Sequence, residues 1–164
     1  MLPGYSPGRV LIVGSRVYPG REDRRVGWRD ALGVDMLAGP GVDRVLDLEE
    51  LLPDDLGVFN HVECLSVLEH SRHPWLLAAN IERLMAPGAT IFIAVPLCWR
   101  LHAYPADYWR MSPAAVRSLF PAVTWDALML AGERLHDGPG IPSVTVEGHP
   151  YMARTETVGF GRKL

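Results

Sequence analysis

Cys64-Leu65-Ser66-Val67-Leu68-Glu69-His70, then Pro74 with Leu77, Ile81, Leu84 and Met85, then Pro87-Gly88 and the run Ala89-Thr90-Ile91-Phe92-Ile93-Ala94-Val95-Pro96, is the stretch on which the fold turns. Val58 to Leu65 is a short apolar run with the length of a strand. Pro74 stands where a helix tolerates proline, at its first turn. Leu77, Ile81, Leu84 and Met85 follow at helical spacing on one face, until Pro87-Gly88 stops the helix. Ala89 to Val95 is the most hydrophobic run in the chain, the form of a central strand buried on both faces. Strand, helix and strand in that order make a βαβ unit with parallel strands.

The pattern extends outward from this unit. Upstream, Arg9 to Val13 is a β-branched run that ends in Gly14. Ala31 to Asp35 and Arg44 to Asp47 are two more short runs, each closing on an aspartate and separated by Ala38-Gly39-Pro40-Gly41. Downstream, Ser112-Pro113 repeats a helix start, a serine N-cap before proline, with Val116, Leu119 and Phe120 as the apolar stripe. Val123 to Leu130 and Tyr151 to Phe160 read as an antiparallel pair joined across Asp137 to Pro142. Ser15 to Asp30 carries proline, glycine and arginines without a helical stripe, so the first crossover helix is expected to be shortened or absent. The expected architecture is α/β: a Rossmann-like, mostly parallel sheet of about seven strands with flanking helices.

With 164 residues, 48% of them hydrophobic, the chain has the size of one domain spanning 1–164. Its two cysteines, Cys64 and Cys98, lie in apolar stretches and make no disulfide framework, which points to a cytoplasmic setting. The longest apolar run, Ile91 to Trp99, is broken by Pro96 and too short to span a bilayer. No apolar segment behind a basic start opens the chain, so a soluble protein without membrane attachment is expected. A formal charge of -3 and a pI near 6.0 supply no basic footprint for nucleic acid, although Gly161 to Leu164 is locally basic.

In an open α/β sheet, ligands bind beyond the carboxyl ends of the strands, where strand order reverses. That edge gathers Val13-Gly14-Ser15, Asp35-Met36, Asp47-Leu48 and Cys64-Leu65-Ser66. Asp35 falls about twenty residues beyond Gly14, the distance at which an acid meets a ribose diol in nucleotide-binding folds. Aspartates at strand ends also face solvent as ordinary polar residues. The dinucleotide fingerprint G-x-G-x-x-G is absent, which argues against a nicotinamide-dependent oxidoreductase.

The stretch Val58 to Arg110 resembles the class I S-adenosylmethionine (SAM)-dependent methyltransferases, in particular small domains of the methyltransferase type 11 kind. The carriers are Val67-Leu68-Glu69-His70 after the fourth strand, Ala86-Pro87-Gly88-Ala89, and a fifth strand ending in Val95-Pro96. The resemblance implies SAM as cofactor. It makes Gly14 and Ser15 the loop beneath the methionine part, Asp35 the ribose acid with Met36 a further cofactor-binding residue beside it, and Asp47-Leu48 the flank of adenine. It implies that Cys64 and Leu65 offer backbone groups to the methionine amino end. The first glycine loop departs from the family, since Gly14-Ser15-Arg16-Val17 keeps one glycine; a methyltransferase-like binding or partner module that has lost SAM is the alternative.

His102 to Arg110 resembles a loop found in a subset of these enzymes, and it concentrates chemistry. Tyr104, Tyr108 and Trp109 are positioned to enclose an apolar or sugar-like acceptor, Arg110 to fix an anionic group, and His102 or Asp107 to take the acceptor's proton. Asp107 and Arg110 also stand at i, i+3, the spacing of an ion pair that stiffens a loop. His70 joins the catalytic candidates beside Glu69, with a structural role as the other reading. Lys163 is the only lysine, so histidine is the expected base, and O-methylation of a small-molecule or glycan-like acceptor is the expected reaction. Around His61, Glu63, His70 and His73 no spacing of a known zinc motif appears, and no metal is expected. Without an N-terminal helical extension the cleft is expected to be open, or closed by a second copy or partner subunit.

Overall fold

Residues 8–102, 106–134, 145–146, 149–150 and 152–164 are described by a computed structural model. The elements in chain order are β1 (Arg9–Val13), β2 (Asp30–Asp35), β3 (Arg44–Val45), β4 (Phe59–Leu65), α1 (Pro74–Leu84), β5 (Met85–Cys98) and α2 (Pro113–Leu119). They are followed by β6 (Val123–Arg134), β7 (Thr145–Val146), β8 (His149–Pro150) and β9 (Met152–Lys163). One seven-stranded sheet runs in the order β3-β2-β1-β4-β5-β9-β6, and β7 pairs only with β8. Strands β1 to β5 are parallel, while β9 runs antiparallel between β5 and β6. Strand order therefore reverses at β1 and β4, and that is where a cleft opens at the carboxyl edge.

The register explains the two faces. Leu11 is opposite Val62, which is opposite Ile91; Val13 is opposite Cys64, which is opposite Ile93. These side chains form one buried core with Leu77, Ala78 and Ile81 of α1 and Val116 of α2, so both helices lie on this face. Helix α1 begins with Pro74 at its first turn, as its sequence dictates. It ends at Leu84, where Met85 turns directly into β5. Helix α2 is capped by the Ser112 hydroxyl, which accepts from the Ala115 N–H.

The other face carries Val10, Ile12, His61 and Glu63. Among the described residues no α-helix covers it. The crossover from β1 to β2 holds only a 3-10 turn, Arg24–Gly27, in agreement with the missing helical stripe. Polar and aromatic side chains replace the helix. The Arg24 guanidinium donates to the carbonyls of Val13 and Gly14. Trp28 packs its ring 5.1 Å from that of His61 and donates to Glu63.

Several boundaries differ from the sequence expectation. Strand β3 stops at Val45 rather than Asp47, because the Asp47 carboxylate accepts from the Glu49 N–H and turns the chain. Strand β5 starts at Met85 rather than Ala89, with a register shift against β4 between Phe59 and His61. The antiparallel pair is longer than expected, Val123–Arg134 against Met152–Lys163; Tyr151 and the segment Asp137 to Pro142 lie outside the described residues.

His61 gives this fold an acid sensitivity. Its side chain is buried with Nδ1 2.7 Å from Thr90 Oγ1, and burial pushes its pKa down from 6.5 to about 4. The unfolded chain therefore binds the extra proton between about pH 6.5 and pH 4, and stability present above that window is lost as pH falls through it, at up to ~1.4 kcal/mol per unit. Unfolding free energies from urea titrations at pH 7 and pH 5 should differ by about 2 kcal/mol more in the native protein than in His61→Gln. An equal pH dependence in the two proteins would show that His61 does not titrate with unfolding.

Candidate functional site

At the carboxyl edge, where strand order reverses, lies a cavity of about 310 Å3. Val13 and Gly14 reach it from the end of β1, and Val34, Asp35, Met36 and Leu37 from the end of β2. Leu46 to Glu49 come from the turn after β3, Ser66 and Val67 from the turn after β4, and His70, Ser71, Leu77 and His102 complete the wall. Tyr18 and Arg21 reach in from the crossover loop. The volume is at the lower end of the range for small-molecule pockets.

Gly14 has φ +64, and a Cβ there would stand 2.5 Å from Val67 Cγ2. Its glycine is required both by backbone conformation and by the close approach of the β4 turn. Ser66 holds the same left-handed region at φ 54 without being glycine, a strained backbone on the cavity wall. Its N–H is fixed by the Ala94 carbonyl. The Asp35 carboxylate is oriented by two backbone donors, Leu37 N–H to Oδ1 and Arg16 N–H to Oδ2. Glu49 ties the β3 turn to the start of α1, accepting from the Ser71 hydroxyl, the Arg72 and His73 N–H groups and the His73 ring. A carboxylate at a helix N-terminus is also favoured by the helix dipole.

Over the β4 turn sits the loop containing His102 and residues 106–110. It is docked by main-chain bonds: the N–H groups of Tyr108 and Trp109 donate to the Glu69 carbonyl, and the Trp109 indole donates to the Ser71 carbonyl. Arg110 grips Asp107 through both carboxylate oxygens and also donates to the carbonyls of Trp99, Arg100 and Trp109. The Arg110 hydrogen bonds hold the Asp107 carboxyl well below the usual carboxylate range. Asp107 in turn accepts from the His102 N–H and lies 3.1 Å from His102 Nδ1. The His70 ring meets that of His102 edge to face, centroids 4.8 Å apart, with Nδ1 bonded to the Ala106 carbonyl. Glu69 is buried beside them, and burial raises its carboxyl to about 7. Burial lowers the His70 pKa.

Of the residues singled out in the sequence, Gly14, Asp35, Met36, Asp47, Leu48, His70 and His102 meet on the cavity wall. Ser15, Cys64, Leu65, Asp107, Tyr108, Trp109 and Arg110 are not part of it. Ser15 is buried against Gly33, and Cys64 is buried in the core with its thiol pushed up to about 12, which leaves it an unreactive apolar filler. Arg110 is turned into its own loop, where it makes the i, i+3 ion pair with Asp107. Tyr104 lies outside the described residues. Sequence reasoning passed over Tyr18, Arg21, Glu49 and Ser71, which lie in segments with no motif. Ser66, the last residue of the expected edge segment Cys64-Leu65-Ser66, is on the wall, and Val67 beyond it is there too without having been expected.

No protein-family model matches the chain, and no curated protein matches its sequence. Solved structures do resemble it. The N-methyltransferase NodS from Bradyrhizobium japonicum, in complex with S-adenosyl-L-homocysteine (SAH), superposes with a TM-score of 0.66 at 10% identity, covering 96% of this chain and 79% of that one. The Burkholderia thailandensis 1,6-didemethyltoxoflavin-N1-methyltransferase, with its substrate and SAH bound, gives 0.64 at 19% identity, covering 96% and 72%. The Haloferax volcanii complex with the Trm112 methyltransferase activator gives 0.62 at 16% identity, covering 98% and 84%. The chain has the fold of the class I SAM-dependent methyltransferases. Among its described residues no helix is long and apolar enough to cross a membrane.

Proposed function

We propose that the protein is a SAM-dependent methyltransferase acting on a hydroxyl of a small-molecule or glycan-like acceptor. The observation that carries this reading is Asp35, a carboxylate oriented by two backbone donors on the wall of a cavity at the strand-order reversal. The residues present fit SAM. Asp35 would hold the ribose hydroxyls, Leu48 and Met36 would flank adenine near Asp47, and Gly14 permits the close backbone approach that the methionine part requires. Ser15, Cys64 and Leu65 belong to the proposal as backbone neighbours of that end. When bound, SAM supplies a methyl group on a sulfonium, ready for direct displacement.

The chain's own work is alignment and exclusion of water, which can supply much of the barrier reduction. His70 and His102, the latter oriented by Asp107, receive and activate the acceptor hydroxyl. Tyr108 and Trp109 border the acceptor's approach, and Tyr104, outside the described residues, belongs to the proposal from the sequence alone. Two of the similar structures are N-methyltransferases by name, so the oxygen acceptor rests on the imidazole pair and on the scarcity of lysine. We place the chain, as one domain, in the cytoplasm, consistent with its two free cysteines, and we leave a second copy or partner subunit as the cover of the cleft.

SAM labelled on its methyl group, incubated with the protein and a panel of hydroxylated small molecules and sugars, tests the reading. Label should pass to an acceptor with one SAH formed per methyl transferred. No SAM bound by the folded protein, and no SAH formed above the protein-free rate on any acceptor, would favour the module that has lost SAM instead.

A further inference from the structure

We propose that Glu69, His70 and His102 form a binding site for one divalent transition-metal ion. One carboxylate oxygen and one nitrogen from each imidazole all lie within 4.8 Å of one another. His70 Nε2 stands 3.7 Å from Glu69 Oε1. That is too long for a good hydrogen bond. It is close to the separation of about 3.4 Å that two ligands near 2.0–2.2 Å from one tetrahedral ion adopt.

The second nitrogens of both rings are already engaged. His70 Nδ1 faces the Ala106 carbonyl and His102 Nδ1 faces the Asp107 carboxylate. Metal-ligating histidines nearly always give their other nitrogen to a backbone carbonyl or a carboxylate, which fixes ring orientation and tautomer. An independent observation points to the same place. Glu69 is only 1% exposed, and its Oε2 has no hydrogen-bond partner among the described residues. A buried carboxylate oxygen without a donor is costly, and a cation removes that cost. Arg110, the neighbouring cation, is turned to Asp107 and to backbone carbonyls.

Two imidazoles and one carboxylate suit a first-row transition ion rather than magnesium or calcium. Three protein ligands leave a coordination position open, and His70 and His102 both line the cavity. A cation there lowers the pKa of a hydroxyl that it coordinates. The site goes beyond the methyl-transfer reading, since metal binding needs no SAM; within that reading the two imidazoles act on the acceptor through the cation. The spacing of a zinc motif is missing from the sequence because the third ligand comes from the loop after β5.

The untagged 164-residue chain, stripped with a chelator and titrated with Co2+ or Zn2+ alone, tests the proposal. One ion per chain should bind with a dissociation constant below about 10 μM, with visible Co2+ d–d bands and no thiolate charge-transfer band. Glu69→Gln, His70→Asn and His102→Asn should each weaken binding by about tenfold or more, and any one that stays folded by circular dichroism suffices. His73→Asn, which alters the separate His73–Glu49 contact, should leave the affinity within about twofold. Failure of the folded native protein to bind either ion at about 1 mM would overturn the proposal, and so would an affinity indifferent to the cluster variants. Neither result depends on whether SAM binds.

Discussion

Asp35→Ala weakens SAH binding by about a hundredfold or more. The estimate follows from two ribose hydroxyls donating to one ionised carboxylate, each such bond contributing about 1.5–3 kcal/mol. The native carboxylate is already held by the N–H groups of Leu37 and Arg16, so little ordering remains to be done on binding. Alanine also leaves those two donors without their partner, and Asp35→Asn serves as the companion. It preserves shape and one acceptor oxygen, and should lose about tenfold. Equilibrium titration with SAH reads both, with circular dichroism confirming the fold. An Asp35→Ala protein that binds SAH within threefold of the native affinity would remove Asp35 from the site.

His102→Ala lowers kcat by about 10²- to 10⁴-fold while SAH affinity stays within about threefold. His102 reaches the cavity wall, and its orientation is set by Asp107, which Arg110 grips in turn. Asp107 is accordingly a positioning residue. Asp107→Asn should slow turnover in the native background and have little further effect once His102 is alanine. A double-mutant cycle separates this from general loosening of the loop, which would slow both backgrounds alike. The assay requires an acceptor found by the labelled-methyl screen.

The strand skeleton was legible because buried parallel strands leave short β-branched runs and their register needs no side-chain detail. Arg9 to Val13 was read to the residue, and the missing crossover helix was visible in the absence of any stripe from Ser15 to Asp30. What replaces that helix was not legible: Trp28 over His61 and Arg24 on the end of β1 are contacts across the chain that no local pattern encodes. The site divided in the same way. Gly14, Asp35 and Asp47 follow from a rule about strand ends, and the structure puts them on one cavity. Cys64, expected to offer backbone groups, stands at the end of β4 with its side chain buried in the core. Arg110 had two sequence readings, and its bidentate grip on Asp107 realises the i, i+3 one. Glu69 gave no sequence signal of its depth, since a glutamate in a turn is ordinarily solvated.

Isothermal titration of the native protein with SAH tests the central claim most directly, because every catalytic statement above presupposes an adenosine-binding cavity between Asp35 and Asp47. One SAH should bind per chain, with a dissociation constant in the micromolar range and competition by SAM at the same site. No detectable heat or displacement with either ligand at millimolar concentration, in protein shown to be folded, would contradict it.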